Sequence, residues 1–180
     1  MIDVNKIFHN CTTPEISDPL TATTVAMYLS SPFSIHCNKF VSEKEKDTKG
    51  EFQRLLFERG NEHEAQTVQA KYPGIAPISF ATPQEGFRLA LESMANGSNI
   101  MHGMPVFYLP EGLVGYADII EKSTSSGSVF GGYHYTIKEI KLAKNIRDEH
   151  IIQGAFYNYI LGKVQGVTPE IFYIINRDGE

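Results

Sequence analysis

Residues 104–109, 113–121 and 133–142 read as three strands in succession, and no other stretch limits the possible folds so much. Pro110-Glu111-Gly112 is a tight hairpin signal between the first two. The Ser/Gly-rich residues 122–132 make a looser connection between the second and third. A helical pattern follows over about 147–162, and 170–176 has the composition of a last, buried strand. Helix, three strands, helix, strand predicts an α/β fold, a mixed β-sheet flanked by helices.

The first half of the chain reads as helical. Residues 1–20 hold scattered polar groups with Pro14 and Pro19 and are expected to form an N-terminal helical arm, leaving 21–180 as the domain. Thr21 can cap a short helix through Ser30 that breaks at Ser31-Pro32. A second short helix is expected to carry Phe33, His36, Cys37 and Phe40, and the charged residues 43–49 a solvated connection or helix start. Phe52, Leu55, Leu56, Arg59 and His63 recur near helical spacing, which predicts a helix over 51–72 ended by Pro73-Gly74. Thr82-Pro83-Gln84-Glu85 is a capping box with proline at the first helical position, and Gly97 fits the stop. The closing Asn176-Arg177-Asp178-Gly179-Glu180 reads as a turn with no partner strand after it, as expected of a chain truncated at its C-terminus.

Composition narrows the function classes. A chain of 180 residues suits one domain with a real core. It lacks an apolar run near 18 residues and a basic-then-apolar leader, so no membrane partner and a cytoplasmic location are expected. A net charge of −5 argues against a broadly basic nucleic-acid coat but not against local contacts. The two cysteines, Cys11 and Cys37, form no CxxC pair and read as free thiols in a reducing compartment.

Within this frame Glu139-Ile140-Lys141 stands out. A strand sends alternate side chains to one face, so Glu139 and Lys141 leave together and set a metal ligand beside a group that handles a proton or a developing negative charge. Asp118, on the preceding strand, can converge on Glu139 if the two strands pair antiparallel. Two close carboxylates repel unless a cation lies between them, and Mg²⁺ or Mn²⁺ suits oxygen ligands. His63 would add a nitrogen ligand that Mn²⁺ tolerates, although periodicity does not select it from six histidines. Gln153 and Tyr157 lie four apart on one helical face, where they could contact a phosphate backbone, brace the lysine, or simply pair with each other at a core edge. The basic run Lys138, Lys141, Lys144 and Arg147 is either a solvated face or a local hold on a polyanion.

The ordered set, His63 in Gly-x-x-His-Glu, Asp118 in Gly-x-x-Asp, Glu139-x-Lys141 and Gln153-x-x-x-Tyr157, resembles the PD-(D/E)XK nuclease superfamily. More narrowly it is similar to the RecB-like exonuclease branch that includes the CRISPR-associated iron–sulfur nucleases, whose opening Ser31-Pro32-Phe33 and Cys37 also resemble. The resemblance spans about residues 21–176. It implies a restriction-endonuclease-like core and Mg²⁺- or Mn²⁺-dependent hydrolysis of DNA phosphodiesters, in the manner of an exonuclease. It assigns metal binding to His63, Asp118, Glu139 and the carbonyl of Ile140, catalysis to Lys141 with Glu139 and Asp118, and substrate contact to Gln153 and Tyr157. Lys144 and Arg147 would join them on the DNA, and a helicase or additional domains are implied partners. Members with a [4Fe–4S] cluster use one cysteine before the core and three after it. Cys37 fits the first position but no cysteine follows, so no cluster is expected unless further chain supplies the other ligands. The rival readings are a non-catalytic nucleic-acid-binding module, an assembly subunit on the same fold, and a phosphoesterase acting on small molecules.

Overall fold

The computed structural model describes residues 2–46 and 50–179. Helices α1 (Val4–Thr12), α2 (Ala22–Ser30), α3 (Pro32–Phe40), α4 (Glu51–Lys71) and α5 (Pro83–Ala95) precede strands β1 (Ile100–Tyr108), β2 (Leu113–Ser123) and β3 (His134–Ile140). Helix α6 (Asp148–Gln165) and strand β4 (Tyr173–Ile175) complete the chain. The sheet order is β1-β2-β3-β4, antiparallel except for the parallel β3–β4 pair. A parallel pair needs a long crossover, and α6 provides it. The chain is thus the α/β protein expected, a mixed sheet flanked by helices. Among the described residues no helix is long and apolar enough to cross a membrane.

The sheet is covered on both faces where Ile119 and Ile120, consecutive and both buried, point in opposite directions. Ile120 joins the main core with Phe87, Leu91 and Met94 of α5 and Ile160 and Leu161 of α6. Ile119 joins a small second core with Val68 of α4, Ile140 and Ile175. Helix α6 is also tied to β3 by the buried Gln165, whose Oε1 accepts from the Tyr135 N–H (2.8 Å) and whose Nε2 donates to the Tyr135 carbonyl (2.9 Å). The amide side chain replaces a neighbouring strand and sets the height of α6 on the sheet.

Several expectations need correction. The first 20 residues are helical and packed on the domain: α1 buries Cys11, and Phe8 packs on Phe87 with ring centroids 5.8 Å apart. The apolar series Phe52, Leu55 and Leu56 does form a helix, but it stays exposed, because no element covers that part of α4 among the described residues. Strand β1 begins at Ile100, four residues ahead of the expected start, since its pairing with β2 runs back to Ile100–Glu121. The last strand is shorter than expected and only Ile175 of it is buried. Helix α6 continues past Gly162, where Thr168 folds so close that a Cβ would lie 2.3 Å from its Oγ1. It ends instead at Gly166, whose φ of 75° an L side chain rarely adopts. Residues 43–45 form a turn, while 47–49 lie outside the described residues, as does Glu180 at the end of the closing turn.

Candidate functional site

Strands β2 and β3 pair from Ser123–His134 up to Ile119–Lys138, and there the backbone ladder stops. The next donors are taken by side chains. The Ile140 N–H donates to Asp118 Oδ2 at 2.7 Å, and the Asp118 N–H donates to Glu139 Oε1 at 3.4 Å. The other Glu139 oxygen, Oε2, accepts from Lys141 Nζ at 2.9 Å. Asp118, Glu139, Ile140 and Lys141 therefore meet at the point where the strands part, as the sequence pattern anticipates.

This cluster lies out of water. Glu139 is fully buried, and the Lys141 side chain keeps 15 % of its exposure. Burial, reinforced by the neighbouring Glu139 charge, pushes the Asp118 carboxyl up to about 8 despite the counter-pull of Lys141. Burial also raises Glu139, again against the pull of Lys141. One ammonium does not neutralise two buried carboxylates, so the pair either holds a proton or receives a cation.

Helix α6 closes one side. Tyr157 lies against Gly115, three residues before Asp118, so closely that a Cβ there would be 2.6 Å from the ring. The glycine of the Gly-x-x-Asp pattern is what lets the phenol reach the site. Gln153 Nε2 donates to Tyr157 Oη at 3.1 Å. Burial and the Glu139 charge raise the Tyr157 hydroxyl to about 12, which keeps it a neutral donor. The two α6 residues thus hydrogen-bond to each other beside the carboxylates.

Lys144 and Arg147 sit further out. Their side chains are 63 % and 66 % exposed and engage Asp178 (3.5 Å) and Glu149 (3.2 Å). Such exposed pairs contribute little and yield readily to a polyanion. The pattern overlooked His150, whose Nδ1 accepts from the Arg147 N–H (3.2 Å). Burial and the positive charges of Lys141 and Arg147 lower its pKa, so it stands as a neutral imidazole at the cationic edge.

The α4 side differs from expectation. His63 has its Nε2 enclosed without a hydrogen-bond partner, and nothing among the described residues bonds it to Asp118 or Glu139. Its neighbour Glu64 is tied to β1. Glu64 Oε1 lies 2.9 Å from His102 Nε2 on β1, and the Glu64 charge raises both Asp118 and Glu139. No periodicity links residues 64 and 102, so only the adjacency of Glu64 to a motif histidine could have hinted at it.

Asp118 and Glu139 offer buried carboxylate oxygens with raised pKa, the type of ligand a hard divalent ion takes. Among the described residues no three His, Cys, Asp or Glu side chains are already gathered closely enough to hold a metal by themselves. Waters and substrate oxygens would fill the remaining positions of Mg²⁺ or Mn²⁺. The chain's two thiols, Cys11 buried in the core and Cys37 half-buried on α3, are fewer than the four ligands of an iron–sulfur cluster. No family model, curated protein or solved structure matches this chain.

Proposed function

We propose that this chain is a metal-dependent nuclease, an exonuclease by its sequence pattern, that hydrolyses DNA phosphodiester bonds. The observation that carries the reading is the meeting of Asp118, Glu139, the Ile140 backbone and Lys141 where β2 and β3 part. Asp118, Glu139 and the Ile140 carbonyl would hold Mg²⁺ or Mn²⁺. When bound, such an ion lowers the pKa of a coordinated water and offsets charge on the scissile phosphate. Lys141, already drawn in by Glu139, would orient the attacking water or face the charge of the transition state. Uncatalysed phosphodiester hydrolysis is so slow that the site must lower the barrier by roughly 20 kcal/mol, more than one lysine supplies. Lys144 and Arg147, exposed and weakly paired, would contact phosphates flanking the cleaved bond.

A competing reading has a specific observation behind it. Asp118 and Glu139 accept backbone N–H groups where the ladder ends, which a purely structural cap would also do. A non-catalytic nucleic-acid-binding or assembly module would use them so. The test is cleavage of end-labelled single- and double-stranded DNA in Mg²⁺ and in Mn²⁺. Wild type should cleave, with end-label release reporting exonuclease action. Lys141→Ala should lose activity by about a hundred- to a thousandfold while keeping its fold. Binding without cleavage by wild type, or undiminished cleavage by Lys141→Ala, would sink the nuclease reading.

A further inference from the structure

A second set of polar side chains lies at the other end of β3, away from the carboxylates. His134 and Thr136 leave the strand on the face of Ile140, opposite to Glu139. There a cavity of about 360 Å³ opens between the 122–132 connection and the loop from α6 to β4. Ser123, Ser125, Thr136 and Thr168 line it with hydroxyls, together with Glu170 and Tyr173. Both walls are tied down. Asn158 Nδ2 on α6 donates to the Pro169 carbonyl at 2.9 Å, and Gln165 Nε2 to the Val167 carbonyl at 3.1 Å. On the other side Ser128 Oγ donates to the Tyr133 carbonyl at 2.6 Å. A concave space of this size with preset walls is the usual form of a small-molecule site.

His134 says what such a site would recognise. It is only 4 % exposed, and its Nδ1 lies 3.1 Å from the Ser126 carbonyl and 3.0 Å from Ser126 Oγ. A carbonyl only accepts, so Nδ1 carries a hydrogen and the lone pair of the neutral ring is at Nε2. This ring therefore does not serve Ser126 as a base, and the pair is not an activated nucleophile. Nothing among the described residues bonds Nε2, which, unlike His63 Nε2, is not enclosed by protein. A buried imidazole thus turns an unused acceptor to the cavity it lines. Among the described residues no lysine or arginine lines that cavity, whereas Glu170 does. The nearby Lys138, 5.2 Å from the Tyr173 ring centroid, is already paired with Glu121. The lining therefore disfavours anions and asks a ligand for hydrogen-bond donors, and its serine and threonine hydroxyls can answer either donors or acceptors.

We propose that this cavity binds a small uncharged molecule with neighbouring hydroxyl groups on a ring, the chemistry shared by nucleosides and sugars. One ligand hydroxyl donates to His134 Nε2, the Ser and Thr hydroxyls meet the others, and the half-exposed Tyr173 ring offers a flat apolar surface. The inference draws nothing from the reading of Asp118 and Glu139, so either can fail alone.

Titration of the intact chain with adenosine and with methyl glucoside, followed by calorimetry and by nitrogen NMR of the His134 ring, tests it. One of the two should bind at millimolar concentration or below and move the Nε2 resonance, and which one does so separates nucleoside from sugar. The matching deoxy compound, with one of the adjacent hydroxyls gone, should bind about tenfold more weakly, the effect of one hydrogen bond. The matching phosphate ester should also bind more weakly, against the charge of Glu170. His134→Asn keeps a donor for the Ser126 carbonyl but removes Nε2, and should weaken binding about tenfold with thermal unfolding unchanged. If that variant does not fold, Tyr173→Ala takes its place and should weaken binding by about tenfold through loss of the aromatic surface. An Nε2 resonance that neither compound moves, or a phosphate ester that binds more tightly than its parent, would overturn the inference. So would wild-type affinity in folded His134→Asn or in the Tyr173→Ala chain that replaces it.

Discussion

The two faces of the sheet are built to different standards. On one, α5 and α6 press Phe87, Leu91, Met94, Ile160 and Leu161 to zero exposure. On the other, α4 buries only Val68 of its 21 residues and leaves Phe52 and Phe57 at 70 % and 71 % exposure. Beyond Val68 it is held by polar ties such as Glu64–His102 and the 2.9 Å bond from Lys71 Nζ to the Gly179 carbonyl. The difference divides the candidate site. Asp118, Glu139 and Lys141 ride on strands locked by the deep core, whereas His63 and Glu64 ride on a helix with few buried apolar contacts. Such elements open at low free energy, so the strand groups are preset and the α4 groups can adjust.

The most severe way to break this comparison is to hollow out each face in turn. Phe87→Ala should cost about 3–5 kcal/mol in denaturant unfolding. Val68→Ala should cost about 1–2 kcal/mol, because the core beneath α4 is small. Equal losses would mean that the two faces contribute alike.

A second experiment addresses the buried carboxylates of the firmly packed face. Asp118 titrates at about 8 when folded, against about 3.9 in an unfolded chain. Between those values the folded chain holds a proton that the unfolded chain has shed. The resulting stabilisation is complete below about pH 4 and fades as pH rises through about 8. Without divalent ions, wild type should therefore lose stability relative to Asp118→Asn across that window, by at most about 1.4 kcal/mol per pH unit. Parallel pH profiles for the two proteins would show that the Asp118 proton is not linked to folding. The smallest effect is expected on the bare end of α4, where Phe52→Ser should shift stability by no more than about 0.5 kcal/mol. A larger loss would reveal that the exposed aromatic side chain is covered in solution.

These contrasts also separate what could be read along the chain from what could not. The Thr82 cap was legible: its side chain accepts from the Glu85 N–H at 3.2 Å, a contact made within one turn. So was the Glu139–Lys141 pairing, since strand alternation acts over two residues. The apolar spacing of Phe52, Leu55 and Leu56 announced a helix but not whether anything would lie on it. The packing of α1 on α5 was missed because nothing local distinguishes a docked nine-residue helix from a free one. Glu64 was missed because its partner, His102, is 38 residues away.

The sequence by itself determined the kinds and order of the elements, and which acid and which lysine share a strand face, because capping, turns and alternation are settled between near neighbours. Tertiary structure alone decided that Glu139 would be stripped of water, that burial and the Glu139 charge would raise Asp118, and that Glu64 of α4 would meet His102. Desolvation and Coulomb interaction depend on distances across the fold, and those exist only after remote segments have packed.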